Sequence, residues 1–180
     1  MLNILSPTNL PNHLQHVIKQ VSFPKHHHLH REDTVCSHLY WIEKGIVRSY
    51  YHKDGKDITA HFATEGEIIT AIDSFIQRKR SRYNLELLED STLTVITHQD
   101  LTMLLDNYPQ YEHEARLFLE RVYIDLAERV EDLLFYDAKE RYEKLIERNS
   151  SLLQRVSLKH IASYLGITQE TLSRIRAKTL

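Results

Sequence analysis

Cysteine is nearly absent: Cys36 stands alone among 180 residues. One thiol excludes an internal disulfide, and it excludes a cysteine-held iron–sulfur cluster, which takes about four thiolates. Glycine is scarce as well, with four residues, and none lies in a loop motif that cradles nucleotide phosphates. Cys36 has no evident activating partner in sequence, so enzymatic readings find little footing. No apolar run approaches the roughly 20 residues that span a bilayer. Met1 to Asn12 lacks the basic-then-apolar layout of a signal peptide. Repeats, low-complexity tracts and Gly/Ser linkers are missing too. The expectation is a cytoplasmic, non-enzymatic protein of one or two modest domains, without a membrane among its partners.

Charge is uneven rather than lacking. The net value of −2 conceals 9 Lys/Arg against 4 Asp/Glu from Ala138 onward, and 14 against 21 before it. A basic end attracts a phosphate backbone, while an acidic body limits indiscriminate sticking. Histidine is plentiful, with twelve residues. On a strand His26, His28 and His30 would share one side at period two. No Cys, Asp or Glu is spaced to complete a four-ligand site beyond the neighbouring Glu32 and Asp33, so a polar strand edge is expected and no metal. His52, His61 and His98 read as ordinary strand residues, and His160 as a surface residue or phosphate neighbour.

Three stretches divide the chain. Asn9 to Val21 suggests a short opening helix. From Ser22 to about Thr97, short β-rich runs and the Asp54-Gly55 and Glu65-Gly66 breaks point to a jelly roll or small barrel. Its clearest hairpin runs Ile46–His52, turns at Lys53–Lys56, and returns as Ile58–Phe62, with Ile58, Ala60 and Phe62 expected on one buried face. Further strands are expected at Asn84–Leu88 and Thr92–Thr97, then a brief helix around Leu101, Leu104 and Leu105. A first domain of residues 1–108 results.

A long helix is expected over 109–137, on the order of 40 Å at about 1.5 Å per residue. Leu119, Tyr123, Leu126, Val130 and Leu133 alternate in steps of four and three, the seam of a coiled coil. A second stripe of Leu117, Ile124, Ala127 and Leu134 lies on another side. One stripe can pack on the chain's own β-domain while the other meets a second copy; burial on both sides of a monomer is the alternative. Asp137 to Glu140 forms a capping box that opens the next helix, through Arg148.

Residues 138–180 end in two short helices broken at Gly166, the layout of a helix-turn-helix. Ile161, Ala162 and Leu165 share one face of the first, and Leu172 and Ile175 one face of the second. The other face of the second helix carries hydrogen-bonding groups. A plain helical hairpin would show the apolar spacing alone; the turn glycine and the polar row favour DNA. By chemistry, Arg174 suits guanine, Glu170 cytosine and Gln169 adenine. Ser173 shares their row, Thr168 and Thr171 sit near the helix start, where hydroxyls and free amides suit phosphate, and Arg176 and Lys178 suit the DNA backbone.

The order of parts resembles the Crp/Fnr family of bacterial transcription regulators over nearly the whole chain. The stretches that carry the resemblance are Tyr50–Ile58 with Phe62 and Gly66-Glu67, Leu88–Ser91, and His160–Ile175, and they look most like the family's Bacteroidetes branch. The resemblance implies an α+β fold. Its parts are a cyclic-nucleotide-binding-type β-roll, a dimerisation helix and a C-terminal helix-turn-helix. A homodimer, palindromic promoter DNA and RNA polymerase are the implied partners. It also implies an effector site at Gly66, Glu67, Arg80, Ser81 and Arg82. In the second half of that site Arg80-Ser81 is followed by Arg82 rather than alanine and comes late after Gly66, so an unrelated effector or none is expected. The sequence stops at Leu180, where the family's β-hairpin wing would follow, so weaker or more salt-sensitive DNA binding is expected. The alternative is an effector-binding or protein-interaction module of the same fold without DNA binding.

Overall fold

The computed structural model describes residues 10–179; Asn9 of the expected opening helix lies outside them. The chain opens with a 3-10 helix, Asn12–Val17, and passes directly into β1 (Ile18–Phe23). The expected helix is therefore cut short. β-branched Ile18 and Val21 pair with Ile96 and Leu93 of a later strand instead of continuing a helical face.

β2 (His28–His30), β3 (His38–Lys44), β4 (Val47–Lys53), β5 (Lys56–Ala63) and β6 (Ile68–Ile69) follow, then α1 (Ile72–Gln77), β7 (Asn84–Leu87) and β8 (Ser91–Thr97). The strands form two four-stranded antiparallel sheets, ordered β1-β8-β3-β6 and β2-β7-β4-β5. Asp54 and Gly55, both at positive φ, make the two-residue turn of the expected hairpin. Between the sheets lie Tyr40, Ile42, Val47, Ala63, Ile69, Leu85, Leu87 and Leu93.

β5 departs from simple alternation. Ser49 pairs with His61 and Tyr50 with Thr59, so Ala60 is an extra residue in a bulge. The bulge shifts the pleat: Thr59, Phe62 and Ala63 are buried, while Ile58 and Ala60 are only half-buried. The histidine run is broken likewise. His26 sits in a turn at φ 67° and His28/His30 straddle a register shift, so the three do not share a face. No group of metal-ligating side chains assembles among the described residues.

α2 (His98–Asn107) and α3 (Gln110–Phe135) come next. The 3-10 helix, α1 and α2 cover the first sheet through Leu14, Val17, Phe75 and Leu104, joined by Tyr111 and Phe118 from the start of α3. α4 (Ala138–Arg148) begins with the expected capping box at Asp137 and Glu140. α5 (Leu152–Arg155), α6 (Leu158–Leu165) and α7 (Gln169–Thr179) complete the chain. Their core is not separate from the roll: Ile46, Phe62 and Leu88 cluster with Tyr142, Leu152, Val156, Ile161, Ala162, Leu165 and Leu172. No described helix is long and apolar enough to cross a membrane.

Candidate functional site

The two-helix unit is built by its caps. Ser157 opens α6 by accepting the His160 amide at 3.3 Å. Gly166 closes it at φ 70°, and the Ile167 amide reaches back to the Ala162 carbonyl at 3.0 Å. Thr168 then opens α7, its hydroxyl accepting the Thr171 amide at 3.2 Å. Leu172 is fully buried against α6, with Ile175 packed at the same cluster.

That anchoring turns the opposite side of α7 outward. Thr168, Gln169, Glu170, Ser173 and Arg174 are exposed, and Thr171 and Arg176 are half-buried. The Lys178 side chain lies outside what is described. Arg174 donates to the Thr171 hydroxyl at 3.3 Å, which holds the guanidinium near the start of the helix. Hydrogen bonding from Thr168 keeps the Glu170 carboxyl below its usual range, so it stays an acceptor. The arrangement is a short helix with donors, one carboxylate and two guanidinium groups along an uncovered side.

α3 presents a second uncovered surface. Tyr123 is 73% exposed, Leu126 61% and Phe135 74%, and Leu119, Val130 and Leu133 are exposed as well. All five seam residues thus lack cover within the chain. Of the second stripe, Ile124 and Leu134 are also exposed, while Leu117 and Ala127 are half-buried. The intrachain side of α3 is made by Phe118 towards the β-domain and by polar Arg129 and Asp132 towards the C-terminal helices. Asp132, buried, accepts from Lys144 at 2.6 Å and Arg148 at 3.4 Å.

The effector-type residues are placed differently. Gly66 and Glu67 form the β5–β6 turn against Ile42, and the Glu67 carboxylate accepts from the Thr64 amide at 2.6 Å. Ser81 is 2% exposed, and its hydroxyl meets Asp73 at 3.3 Å and the Tyr83 amide at 3.0 Å. Its own amide donates to Thr34 and its carbonyl accepts from Asp33. Arg80 bridges Val35, and the Arg80 and Arg82 side chains are exposed.

A contact surface that periodicity did not reveal joins α6 to the roll. Arg48, 1% exposed, sits beneath it, donating to Thr59 at 2.9 Å and Asp57 at 3.3 Å, with its guanidinium 4.4 Å from the Tyr50 ring centre. Burial opposes ionisation of Asp57, but the hydrogen bond and charge of Arg48 hold its carboxyl below the ordinary value. His160 faces this group; burial and the Arg48 charge push its imidazole down, so it is a half-buried interface residue. Arg129 stacks 4.0 Å over the Tyr164 ring and donates to the Tyr164 carbonyl. The one available signal was Arg48 itself, a charge beside buried Val47 on a strand whose other face also had to be covered.

Residues 20–108 match the model of the cyclic nucleotide-binding domain. Among solved structures, the chain is similar to FixK2 from Bradyrhizobium japonicum, with a TM-score of 0.73 and 23% identity over 90% of this chain and 84% of that one. It is similar to CLP, described as a c-di-GMP responsive global regulator of Xanthomonas campestris, with a TM-score of 0.72 and 18% identity over 91% and 87% of the two chains. It is also similar to a protein assigned to the Crp/Fnr regulators from Eubacterium rectale, with a TM-score of 0.74 and 15% identity over 93% and 82%. Comparison with curated proteins found no match. The chain therefore carries a β-roll of the cyclic nucleotide-binding type followed by C-terminal helices, in the fold of Crp/Fnr regulators.

A cyclic nucleotide needs free donors for its phosphate. Here the Ser81 hydroxyl and amide are committed within the chain, and Glu67 caps its own turn. Ser81 and Glu67 are thus not free to hold that phosphate, whereas the exposed Arg80 and Arg82 side chains are.

Proposed function

We propose that the chain is a sequence-specific DNA-binding transcription regulator of Crp/Fnr type, and that it acts as a homodimer on a palindromic promoter site. α6 and α7 are read as a helix-turn-helix, with α7 entering the major groove. The observation that carries the reading is the outward row Gln169, Glu170, Ser173 and Arg174 on a helix pinned from behind by Leu172. Arg174 offers two parallel donors for guanine O6 and N7, Glu170 an acceptor for cytosine N4, and Gln169 a pair for adenine. Thr168, Thr171 and Arg176 hold phosphates, as does Lys178.

The seam of α3 supplies the second copy. Apolar side chains at Leu119, Tyr123, Leu126, Val130 and Leu133 form a stripe that an identical helix would cover in knobs-into-holes fashion. Two-fold symmetry then puts the half-site centres about one helical turn apart, roughly 34 Å. The β-roll serves as the platform on which the reading helices stand, and DNA reading proceeds without a cyclic nucleotide.

The test is enrichment of bound sequences from random duplex DNA by the full chain, with cyclic AMP and cyclic GMP present or absent. An inverted repeat whose recovery is the same in both conditions is expected. No enrichment of any sequence defeats the reading.

A further inference from the structure

Arg155 is held by two carboxylates at once. Its Nη1 and Nη2 donate to the two oxygens of Glu65 at 2.9 and 2.6 Å, while its Nε and Nη2 donate to the oxygens of Glu89. Glu65 lies in the β5–β6 turn and Glu89 in the turn between β7 and β8. Glu65 is tied to a third turn as well, accepting the Gly45 amide at 2.8 Å. A side chain at Gly45 would meet the Ser91 hydroxyl at 2.0 Å, so only glycine fits in that turn. On the other side, Arg155 ends α5, next to Val156 and the Ser157 cap of α6.

A second attachment, Ser163 on β5, lies near Thr59. Thr59 and Glu65 are separated by the Ala60 bulge and the end of β5, so at most about 20 Å lies between them. An apolar core permits small sliding and rotation; paired guanidinium–carboxylate bonds have fixed directions. Two directional attachments at separate points of the roll, one on the edge strand β5 and one on the turns that join the sheets, therefore set the angle of α6, and α7 follows because Leu172 is buried against it.

We propose that Arg155 is a positioning residue for DNA reading: by clamping the Glu65 and Glu89 turns it fixes the stance of α7 on the β-roll, and in the dimer the separation of the two half-sites that are read. The proposal rests on the DNA-binding reading above. Arg155 is not a phosphate contact, since both edges of its guanidinium are already occupied by carboxylates.

One test uses the full chain and duplexes carrying two enriched half-sites at varied spacing. The parent chain prefers one spacing. Arg155→Gln loses about tenfold on that spacing, binds the others within about threefold of it, and binds a single half-site unchanged. The Glu65→Gln/Glu89→Gln double variant does the same, and Arg155→Lys falls between. The salt dependence stays as in the parent, whereas loss of a phosphate contact lowers its slope by about 1. An unchanged spacing preference, or a lowered slope in Arg155→Gln alone, overturns the proposal.

A second readout needs no DNA. Spin labels at Lys53→Cys and Ala177→Cys, in labelled chain diluted with excess unlabelled chain and with Cys36 buried and unlabelled, give one narrow distance distribution in the parent. Arg155→Gln and the double glutamine variant broaden or shift it. If the parent binds no duplex, the functional reading fails while this measurement still decides the clamp; an unchanged distribution in both variants overturns it.

Discussion

The Ser163 hydroxyl on α6 accepts the Thr59 amide hydrogen at 2.9 Å and donates to the Asp57 carbonyl at 3.2 Å. β5 is the edge of its sheet, and edge strands leave backbone groups that another strand can capture. A helix side chain takes that place here. The same contact that protects the roll's edge also docks the C-terminal helices on it, so α3 is not their only connection to the β-domain.

Ser163→Ala leaves the Thr59 amide without its partner at a partly buried site. A loss of about 1–3 kcal/mol in unfolding free energy is expected, measured by urea denaturation. Exchange of the Thr59 amide should accelerate, while amides at the Asp54-Gly55 turn keep their rates.

Arg174→Ala should cost about 1–3 kcal/mol on the preferred duplex and relax the base preference at one position. Arg176→Ala should weaken all duplexes by a similar factor. Anisotropy titrations against the preferred duplex and single-base variants separate the two effects.

Leu126→Glu places a charge in the middle of the uncovered α3 stripe, where the parent side chain is 61% exposed in a single chain. In sedimentation the variant should run as a monomer at concentrations where the parent runs as a dimer. Persistence of the dimer means that copies meet elsewhere.

Much of this was legible in the sequence because it obeyed local rules. The hairpin at Asp54-Gly55, the capping box at Asp137 and the break at Gly166 were read from short motifs, and each forms as read. What escaped was non-local. The bulge at Ala60 reverses an alternation that looked regular, and β1 replaces helix because its partner β8 lies far along the chain. Arg48, Asp57, Ser163 and Arg155 carry no periodic signal, and Ser163 and Arg155 meet their partners only once α5 and α6 lie on the roll. The effector-type residues matched in type, yet Ser81 is spent inside the fold.

Acid should loosen the docking. The hydrogen bonds of Arg155 pull the Glu65 carboxyl from 4.5 to about 2. A depressed carboxyl contributes stability that is fully present above its unfolded value and is lost as pH falls through the folded one. Melting temperature should therefore drop between pH 4.5 and 2, and Glu65→Gln should flatten that drop while lowering stability at neutral pH. An identical pH profile in parent and variant would show that the ion pair contributes nothing.

Sedimentation of the full chain with a labelled duplex bearing the enriched inverted repeat probes dimerisation and DNA reading together. Two chains per duplex are predicted, falling to weak single-chain binding when one half-site is scrambled. A complex of one chain per intact duplex, or no complex at low salt, contradicts the account.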